Sequence, residues 1–226
     1  MTERAHFWDF PAELPPGTWD EKRRLASAVR DLIALAVTTD AGEEVLAEAS
    51  AQVRAVVTRL GREPTSTFHD AFTRGAIDDI TRYADRAMMV GLSNPMSPPM
   101  TMVDDGEAVT AQVTFGAPFE GAPGCVHGGL LAAAFDQTFG FLVVCRKVGS
   151  MTATLNVRYR RPTPILQPLR IEARVDRIEG KKRWVSAKMY APGRDGDELT
   201  AEADGLFIGL DATKMDQIAA QVTAKD

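Results

Sequence analysis

Residues 127–145 read His-Gly-Gly-Leu-Leu-Ala-Ala-Ala-Phe-Asp-Gln-Thr-Phe-Gly-Phe-Leu-Val-Val-Cys, and this stretch decides the fold. After the two glycines the run is apolar almost all round, which is typical of a helix buried on every side. Its apolar part is about fifteen residues, whereas a membrane span needs roughly twenty. The stretch therefore predicts a central core helix and no membrane span.

Asp136 conflicts with this burial, because an ionised carboxylate without partners is costly in the middle of a buried helix. At helical spacing Asp136 lies among small side chains, with bulky ones on a second stripe. The small-residue stripe comprises Gly129, Ala132, Ala133, Asp136 and Gly140, and the bulky stripe comprises Leu131, Phe135, Thr138 and Leu142. A stripe of small residues allows another backbone or a slender ligand to approach closely.

The start of the helix is the second polar feature of the stretch. Gly128 and Gly129 leave N–H groups uncovered there, and a helix N-terminus favours negative charge, so an oxyanion would be well placed. Plainer interpretations exist for each residue: Asp136 as a core carboxylate bonded to a hydroxyl, His127 as a helix cap, and the glycines as a tight turn. The three features together, on one helix, favour a functional site.

The pattern extends beyond the helix. His127-Gly-Gly is followed by Asp136 nine residues after the histidine, by Thr152 in the next predicted strand, and by Tyr159-Arg-Arg-Pro162. This spacing resembles the hotdog-fold acyl-CoA thioesterases of the PaaI type, and within them the branch that includes the carboxyl-terminal modulator protein. The resemblance covers about residues 94–210.

The resemblance implies a role for each matching residue. Asp136 would be the general base for water or the nucleophile that forms a mixed anhydride, and these alternatives stay open. Backbone N–H groups of Gly128 or Gly129 would hold the oxyanion. Thr152 would orient the water or the carboxylate, and His127 would fix the helix start or help to polarise the carbonyl.

Coenzyme A enters only as part of the substrate, and no separate cofactor is expected. The segment Tyr159, Arg160, Arg161 and Pro162 matches the family segment along which the pantetheine lies, with the two arginines as candidate partners of the phosphates. One departure affects the oxyanion hole: PaaI-type enzymes carry Asn or Gln a few residues before the histidine, whereas residues 120–126 here are Glu-Gly-Ala-Pro-Gly-Cys-Val.

Period-two alternation surrounds the helix and predicts strands. The predicted strands are 100–103, 108–115, 151–161, 169–179, 182–191 and 199–210. Two strands, a buried helix and four more strands indicate an α+β hotdog fold, a long central helix wrapped by a curved antiparallel sheet of about six strands. We place this domain at residues 94–210, after the break Asn94-Pro-Met-Ser-Pro-Pro-Met100, with a polar tail at 211–226.

Residues 1–93 form a predicted arm and helical extension. Residues 1–17 contain aromatic residues and prolines typical of an extended arm. Helical periodicity follows at about 19–37, from about Asp40 to Gly61, and at about 74–90. Two of these helices could pair as a hairpin. The extension is expected to pack on the core domain or on another subunit, and a lid over the acyl site is the sharper alternative.

Composition narrows the possible partners. The net charge of −5 argues against a nucleic-acid partner, which usually requires a basic face. Three His and two Cys at no ligand-like spacing give no support for a metal. Cys125 and Cys145, at about 30 Å across the helix, are too far apart for a disulfide. With no signal-peptide pattern, a reducing cytoplasm is expected.

The leading hypothesis is an acyl-CoA thioesterase for medium to long acyl chains. A homodimer, or a dimer of dimers, is expected because a single curved sheet leaves the small-residue stripe uncovered. The alternative is a non-catalytic hotdog protein that binds acyl-CoA as a sensor or scaffold. A hotdog hydratase is disfavoured, since its Asp and His within one short loop-to-helix motif are missing.

Overall fold

The computed structural model describes residues 18–65, 84–146 and 150–209. The helices are α1 (Thr18–Thr38), α2 (Glu43–Leu60) and α3 (Gly128–Cys145), with a short 3-10 helix at Ala117–Phe119. The strands are β1 (Thr101–Asp104), β2 (Ala108–Thr114), β3 (Ser150–Tyr159), β4 (Pro168–Glu179), β5 (Lys182–Gly193) and β6 (Gly196–Gly209). The prediction of a long helix on a six-stranded antiparallel sheet with helices before it is confirmed, and this is the hotdog arrangement.

The sheet has the order β1-β2-β4-β5-β6-β3, with every neighbouring pair antiparallel. Tight turns join β1 to β2 and β4 to β5, each with a glycine at positive φ, Gly106 at 96° and Gly180 at 53°. The first turn is also fixed by Asp105, whose carboxylate accepts hydrogen bonds from the N–H groups of Glu107 and Ala108. In this order β3 is an edge strand, so its outer backbone groups have no neighbouring strand among the described residues.

The core lies between one face of the sheet and α3. Alternate residues of β2 face inward as the period-two pattern predicts, and Val109, Ala111 and Val113 are buried. Phe135, Phe139 and Leu142 of α3 are fully buried against this face, and Phe139 packs edge-on against Phe207 of β6. Burial of large aromatic side chains contributes much of the apolar stabilisation of a domain this size.

In a single chain α3 is buried on one side, and its small-residue stripe is uncovered, as expected for one curved sheet. The bulky stripe is buried, whereas Ala132, Ala133, Asp136 and Gly140 are half-buried and Gly129 is exposed. The physical reason is that one sheet covers one face of a helix. With 18 residues, α3 would be long and apolar enough to cross a membrane by length and composition alone, but its apolar character is accounted for by its packing on the sheet.

The amino-terminal helices begin and end close to the predicted positions. α2 begins after Gly42, which caps it without a side-chain hydrogen bond, so Asp40 does not serve as the cap. The predicted third helix at 74–90 falls largely outside the described residues, which show one helical turn at 84–86 followed by turns. The arm at 1–17 and the tail at 211–226 also lie outside them.

Polar contacts attach α1 to the segment that leads into β1. Arg23 forms an ion pair with the buried carboxylate of Asp85 at 2.7 Å, and Arg30 donates hydrogen bonds to the carbonyl oxygens of Leu92 and Asn94. α1 also contacts the 3-10 helix, while α1 and α2 do not pack as a hairpin. No residue of α2 is buried.

Candidate active site

Asp136 and Thr152, which the family spacing brings together, are hydrogen-bonded to each other. The Thr152 hydroxyl donates a hydrogen bond of 2.7 Å to Oδ1 of Asp136, joining the middle of α3 to the first half of edge strand β3. The register of β3 with β6 shifts between Thr152 and Thr154, directly after the threonine that contacts Asp136. Among the described residues Oδ2 of Asp136 has no recorded donor, so one carboxylate oxygen is held and the other is available.

His127 caps α3, which is the plainer of the two roles considered for it. Its Nδ1 accepts a hydrogen bond of 3.1 Å from the N–H of Gly129. An accepting Nδ1 carries no proton, so the neutral ring has its proton on Nε2, on an exposed side chain. The expectation that both glycine N–H groups are free is therefore wrong for Gly129. The N–H of Gly128 has no recorded acceptor in the described part of the chain.

Tyr159 lies against the same helix turn. Its hydroxyl donates a hydrogen bond of 2.9 Å to the carbonyl oxygen of Gly128. A Cβ added to Gly128 would lie 3.3 Å from the tyrosine ring, so a side chain at this position would have to displace the ring slightly. The sequence had matched Tyr159 to the pantetheine segment, and its contact with Gly128 could not be read from the spacing, because it depends on how β3 crosses α3.

The two arginines after Tyr159 are paired with carboxylates of β6. Arg160 contacts Glu202, and Arg161 contacts Glu198 at 2.9 Å. The hydrogen bond from Arg160 lowers the pKa of Glu202 below its usual value. Pro162 follows in an exposed turn. The segment thus contains the predicted cations, but both already have anionic partners within the chain.

The predicted residues form two groups rather than one. Asp136 with Thr152 lies eight residues along α3 from Gly128, about 12 Å at 1.5 Å per residue. His127, Gly128, Gly129 and Tyr159 form the other group at the start of the helix. One small carbonyl group cannot contact both groups of a single chain.

A wide groove lies on the face of the sheet opposite α3, lined by charged side chains that include Arg158, Lys188, Glu202 and Asp204. Asn156 and Arg158 donate hydrogen bonds to Asp204 and lower its pKa. These side chains point away from α3, since they alternate with core residues, so the groove is separate from the candidate site.

Neither cysteine is paired, and no metal cluster is found in the described ranges. Cys125 and Cys145 are both free thiols, as their separation predicts. Burial is the main cause that raises the pKa of Cys145 to about 11, and the neighbouring Asp104 carboxylate adds to it. Within residues 18–65, 84–146 and 150–209 no group of His, Cys, Asp and Glu side chains could hold a metal ion.

A central helix on a six-stranded sheet, with a hydroxyl-bonded carboxylate on the open side of that helix, defines a hotdog domain with a candidate hydrolytic site. Residues 123–194 match the family model described as the thioesterase superfamily. Residues 123–194 are therefore similar to the thioesterase superfamily, which confirms the family resemblance predicted from the sequence.

Individual relatives support the same assignment. The chain is 38% identical over 99 residues to acyl-coenzyme A thioesterase THEM4 of Mus musculus, covering 44% of this chain and 42% of the relative. It is 34% identical over 95 residues to acyl-coenzyme A thioesterase THEM5 of Homo sapiens, covering 42% and 38%. The chain thus spans about two fifths of the length of the curated relatives it matches.

A solved structure resembles a larger part of the chain. The crystal structure of a thioesterase superfamily protein superimposes with a TM-score of 0.71 at 26% identity, covering 86% of this chain and 97% of that one. This coverage exceeds the hotdog domain alone, so the similarity of fold extends into the helical part.

Proposed function

We propose that this protein hydrolyses acyl-CoA thioesters to the free acid and coenzyme A. The observation that carries the proposal is the 2.7 Å hydrogen bond between Thr152 and Asp136 on the half-exposed side of α3. The names of the THEM4 and THEM5 relatives support this chemistry, since both are acyl-coenzyme A thioesterases.

Asp136 has one of two roles in this proposal. With Oδ1 held by Thr152, Oδ2 either takes a proton from the attacking water or attacks the thioester carbon itself to give a mixed anhydride. In the first route the water oxygen bonds to the carbonyl carbon, the C–S bond breaks, and the proton taken by Asp136 passes to the coenzyme A thiolate. In the second route the C–S bond breaks as the anhydride forms, and water then hydrolyses the anhydride, which releases the acid, regenerates Asp136 and supplies the proton of the thiol. The Thr152 hydroxyl fixes the direction in which the carboxylate points.

The start of α3 supplies the oxyanion hole. The N–H of Gly128 is the backbone donor available to a developing oxyanion, because the N–H of Gly129 is donated to His127. The exposed Nε2–H of His127 is a second possible donor beside it. Removal of one such donor typically lowers the rate about 10²- to 10³-fold.

The site is shared between two copies of the chain. Because Gly128 and Asp136 of one helix are about 12 Å apart, a complete site needs Gly128 of one copy beside Asp136 of another. A homodimer in which the half-exposed stripes of two α3 helices face each other would satisfy this requirement, and it would also cover the stripe. The unpaired outer side of β3 is available for edge-to-edge pairing of the two sheets.

The proposed substrate is an acyl-CoA with a medium to long acyl chain. The small-residue stripe continues past Asp136 to Gly140, where an added Cβ would meet no atom within 4 Å, which leaves room for a slender chain. Arg160 and Arg161, exposed at the end of β3, would exchange Glu202 and Glu198 for the phosphates of coenzyme A.

The test is release of free thiol from a panel of acyl-CoA substrates of increasing chain length. We expect Asp136→Asn to lower turnover about 10²- to 10⁴-fold with little change in thermal stability. Asp195→Asn, the same change in the exposed β5–β6 turn, is the matched control and should leave the rate unchanged. Equal rates for the Asp136 variant and the wild type would refute the assignment. Binding of acyl-CoA by the wild type without thiol release would favour the sensor or scaffold instead.

A further inference from the structure

A small pocket lies between α1, the segment 95–99 and the 3-10 helix, and neither Asp136 nor Thr152 lines it. Its volume is about 170 Å³, and a cavity of about 150 Å³ is enough to hold a benzene ring. The lining is chiefly apolar and includes Ile33 of α1 and Pro118 and Phe119 of the 3-10 helix. A pocket of this size and lining fits the apolar body of a ligand with about six carbon atoms.

One polar side chain of the pocket is buried without a partner. Of the described residues that line the pocket, three have polar side chains, namely Arg30, Ser97 and Thr114. Ser97 is fully buried, and its Oγ atom has no hydrogen-bond partner. Buried hydroxyl groups are normally hydrogen-bonded, because leaving one unpaired costs free energy. The Ser97 hydroxyl is therefore available to a polar group that enters the pocket.

Arg30 has a carboxylate-binding edge that the chain leaves unused. Its Nη1 donates to the carbonyl oxygens of Leu92 at 3.1 Å and Asn94 at 2.9 Å, and its Nη2 donates to Leu92 at 3.2 Å. A guanidinium has five N–H groups, so the Nε–H and one N–H of Nη2 have no acceptor in the described part of the chain. These two groups lie on one edge and form a fork that binds a carboxylate through two parallel hydrogen bonds.

Arg30 and Ser97 lie on the same side of the pocket, because both bind one carbonyl group. The Asn94 carbonyl oxygen accepts hydrogen bonds from Nη1 of Arg30 at 2.9 Å and from the N–H of Ser97 at 3.1 Å. Two donors that share an acceptor are at most about 6 Å apart. The pocket thus combines a cation and an unpaired buried hydroxyl with apolar walls.

We propose that this pocket binds a small carboxylic acid whose apolar body has about six carbon atoms. The carboxylate accepts two hydrogen bonds from the free edge of Arg30 and one from the Ser97 hydroxyl, and the carbon chain or ring packs against Ile33 and Phe119. Inorganic phosphate fits less well, because most of the lining is apolar. A neutral apolar ligand would leave the Arg30 edge unpaired.

The pocket is linked to the start of α3. The carbonyl oxygen of Phe119 accepts a hydrogen bond of 2.9 Å from the N–H of His127, the residue that caps this helix. Free acids are also the class of product that the proposed function releases. Only this connection rests on the proposed function, whereas binding of the acid does not.

Isothermal titration calorimetry of the full-length wild type tests the binding. Hexanoate and benzoate should bind with a Kd of about 1 mM or lower, as expected for ligands of roughly eight non-hydrogen atoms. Acetate, which lacks the apolar body, and hexan-1-ol, which lacks the charge, should bind at least about 10-fold more weakly. No binding of either larger acid, or equal binding of hexan-1-ol, would overturn the proposal.

Substitutions of the two polar residues test their roles. Ser97→Ala should weaken hexanoate binding about 5-fold without lowering Tm, because the hydroxyl has no partner within the chain. Arg30→Gln should weaken it at least about 10-fold, since both the charge and the fork are lost. Ser27→Ala and Arg24→Gln, at exposed positions of α1, are the matched controls and should bind like the wild type. If Arg30→Gln fails to fold, Ser97→Ala decides, and unchanged affinity in that variant would overturn the proposal.

The same titration distinguishes the pocket from the site on α3. Ala34→Leu, which extends a side chain that lines the pocket, should prevent hexanoate binding, whereas Asp136→Asn should bind it like the wild type. Loss of binding in Asp136→Asn alone would assign the acid to the α3 site and overturn the proposal. Absence of thiol release from acyl-CoA would refute the proposed function and leave this result unchanged, so the two failures are distinguishable.

Discussion

The two ends of α3 are held in different ways. At the amino-terminal end, neutral groups make the contacts: the imidazole of His127 accepts from Gly129, and the phenol of Tyr159 donates to the carbonyl of Gly128. At the carboxyl-terminal end the contact is an ion pair, in which Arg146 donates a hydrogen bond of 2.6 Å to Asp104 of β1. Both side chains are mostly buried.

This difference indicates that the amino-terminal end of α3 serves the reaction, whereas its carboxyl-terminal end fixes the helix to the sheet. The neutral contacts leave the positive end of the helix dipole uncompensated, and the N–H of Gly128 stays open to an anionic group. At the other end Arg146 places a positive charge next to the carbonyl groups that end the helix, where a cation is stabilising. We therefore expect changes at the start of α3 to alter the rate, and changes at its end to alter stability.

The largest expected effect is restoration of activity by subunit mixing. Gly128→Pro removes the oxyanion donor at the first position of the helix, where the backbone tolerates proline, and Asp136→Asn removes the base or nucleophile. Each homodimer should be inactive. When the two variants are co-expressed with different tags, the mixed dimer purified through both tags has one intact site of two, so about half of wild-type activity should return. Gly128→Ala, which also places a Cβ against the Tyr159 ring but keeps the N–H, is the control for that contact.

The mixed dimer also tests whether one site needs two chains. If Gly128 and Asp136 of the same chain acted on one carbonyl, every mixed dimer would lack a complete site and no activity would return. An Asp136→Asn homodimer whose two chains carry the two different tags, purified in the same way, is the control for tag effects. The measurement is thiol release by the doubly purified species.

A smaller effect is expected for Tyr159→Phe, which removes the donor to the carbonyl of Gly128 but keeps the ring. A hydrogen bond of this kind contributes about 1 kcal/mol, so a loosened helix start should lower kcat roughly five-fold. KM should be unchanged, because the hydroxyl is bonded within the chain. A higher KM with unchanged kcat would instead support the pantetheine contact predicted from the sequence. Tyr190→Phe on β5 is the control.

The fold could be predicted from the sequence because each element has a local signature. The switch from helical spacing to period two after residue 100 predicts the sheet, and the inward positions Val109, Ala111 and Val113 follow from the alternation. The pair Asp136 and Thr152 could be predicted through the family spacing, and the hydrogen bond between them agrees with it.

Contacts that depend on how elements cross could not be predicted in the same way. The distance between Gly128 and Tyr159, 31 residues apart, is set by the angle between β3 and α3, which no local pattern encodes. The partners of Arg160 and Arg161 depend on strand register, which pairs Arg158 with Glu202 and Tyr159 with Ala201 and so places β6 carboxylates beside the arginines.

The smallest expected effect is at the anchoring end of α3, and it depends on pH. The hydrogen bond from Arg146 is the main cause that lowers the pKa of Asp104 below its ordinary value. A carboxyl group with a lowered pKa in the folded state contributes stability that is present above the unfolded pKa and is lost as pH falls through the folded one. Asp104→Asn should therefore lower Tm at pH 7 by about 2–4 °C, for a loss of about 1 kcal/mol.

The difference in Tm between wild type and Asp104→Asn should begin to shrink below about pH 4, where the carboxyl of the unfolded chain becomes protonated, and should disappear as pH falls through the lower pKa of the folded state. Asp195→Asn is again the control, since its exposed carboxylate should leave Tm unchanged at both pH values. Turnover per folded enzyme at pH 7 should equal that of the wild type in both variants. A loss of turnover in Asp104→Asn with Tm preserved would contradict the division of α3 into a chemical start and an anchored end.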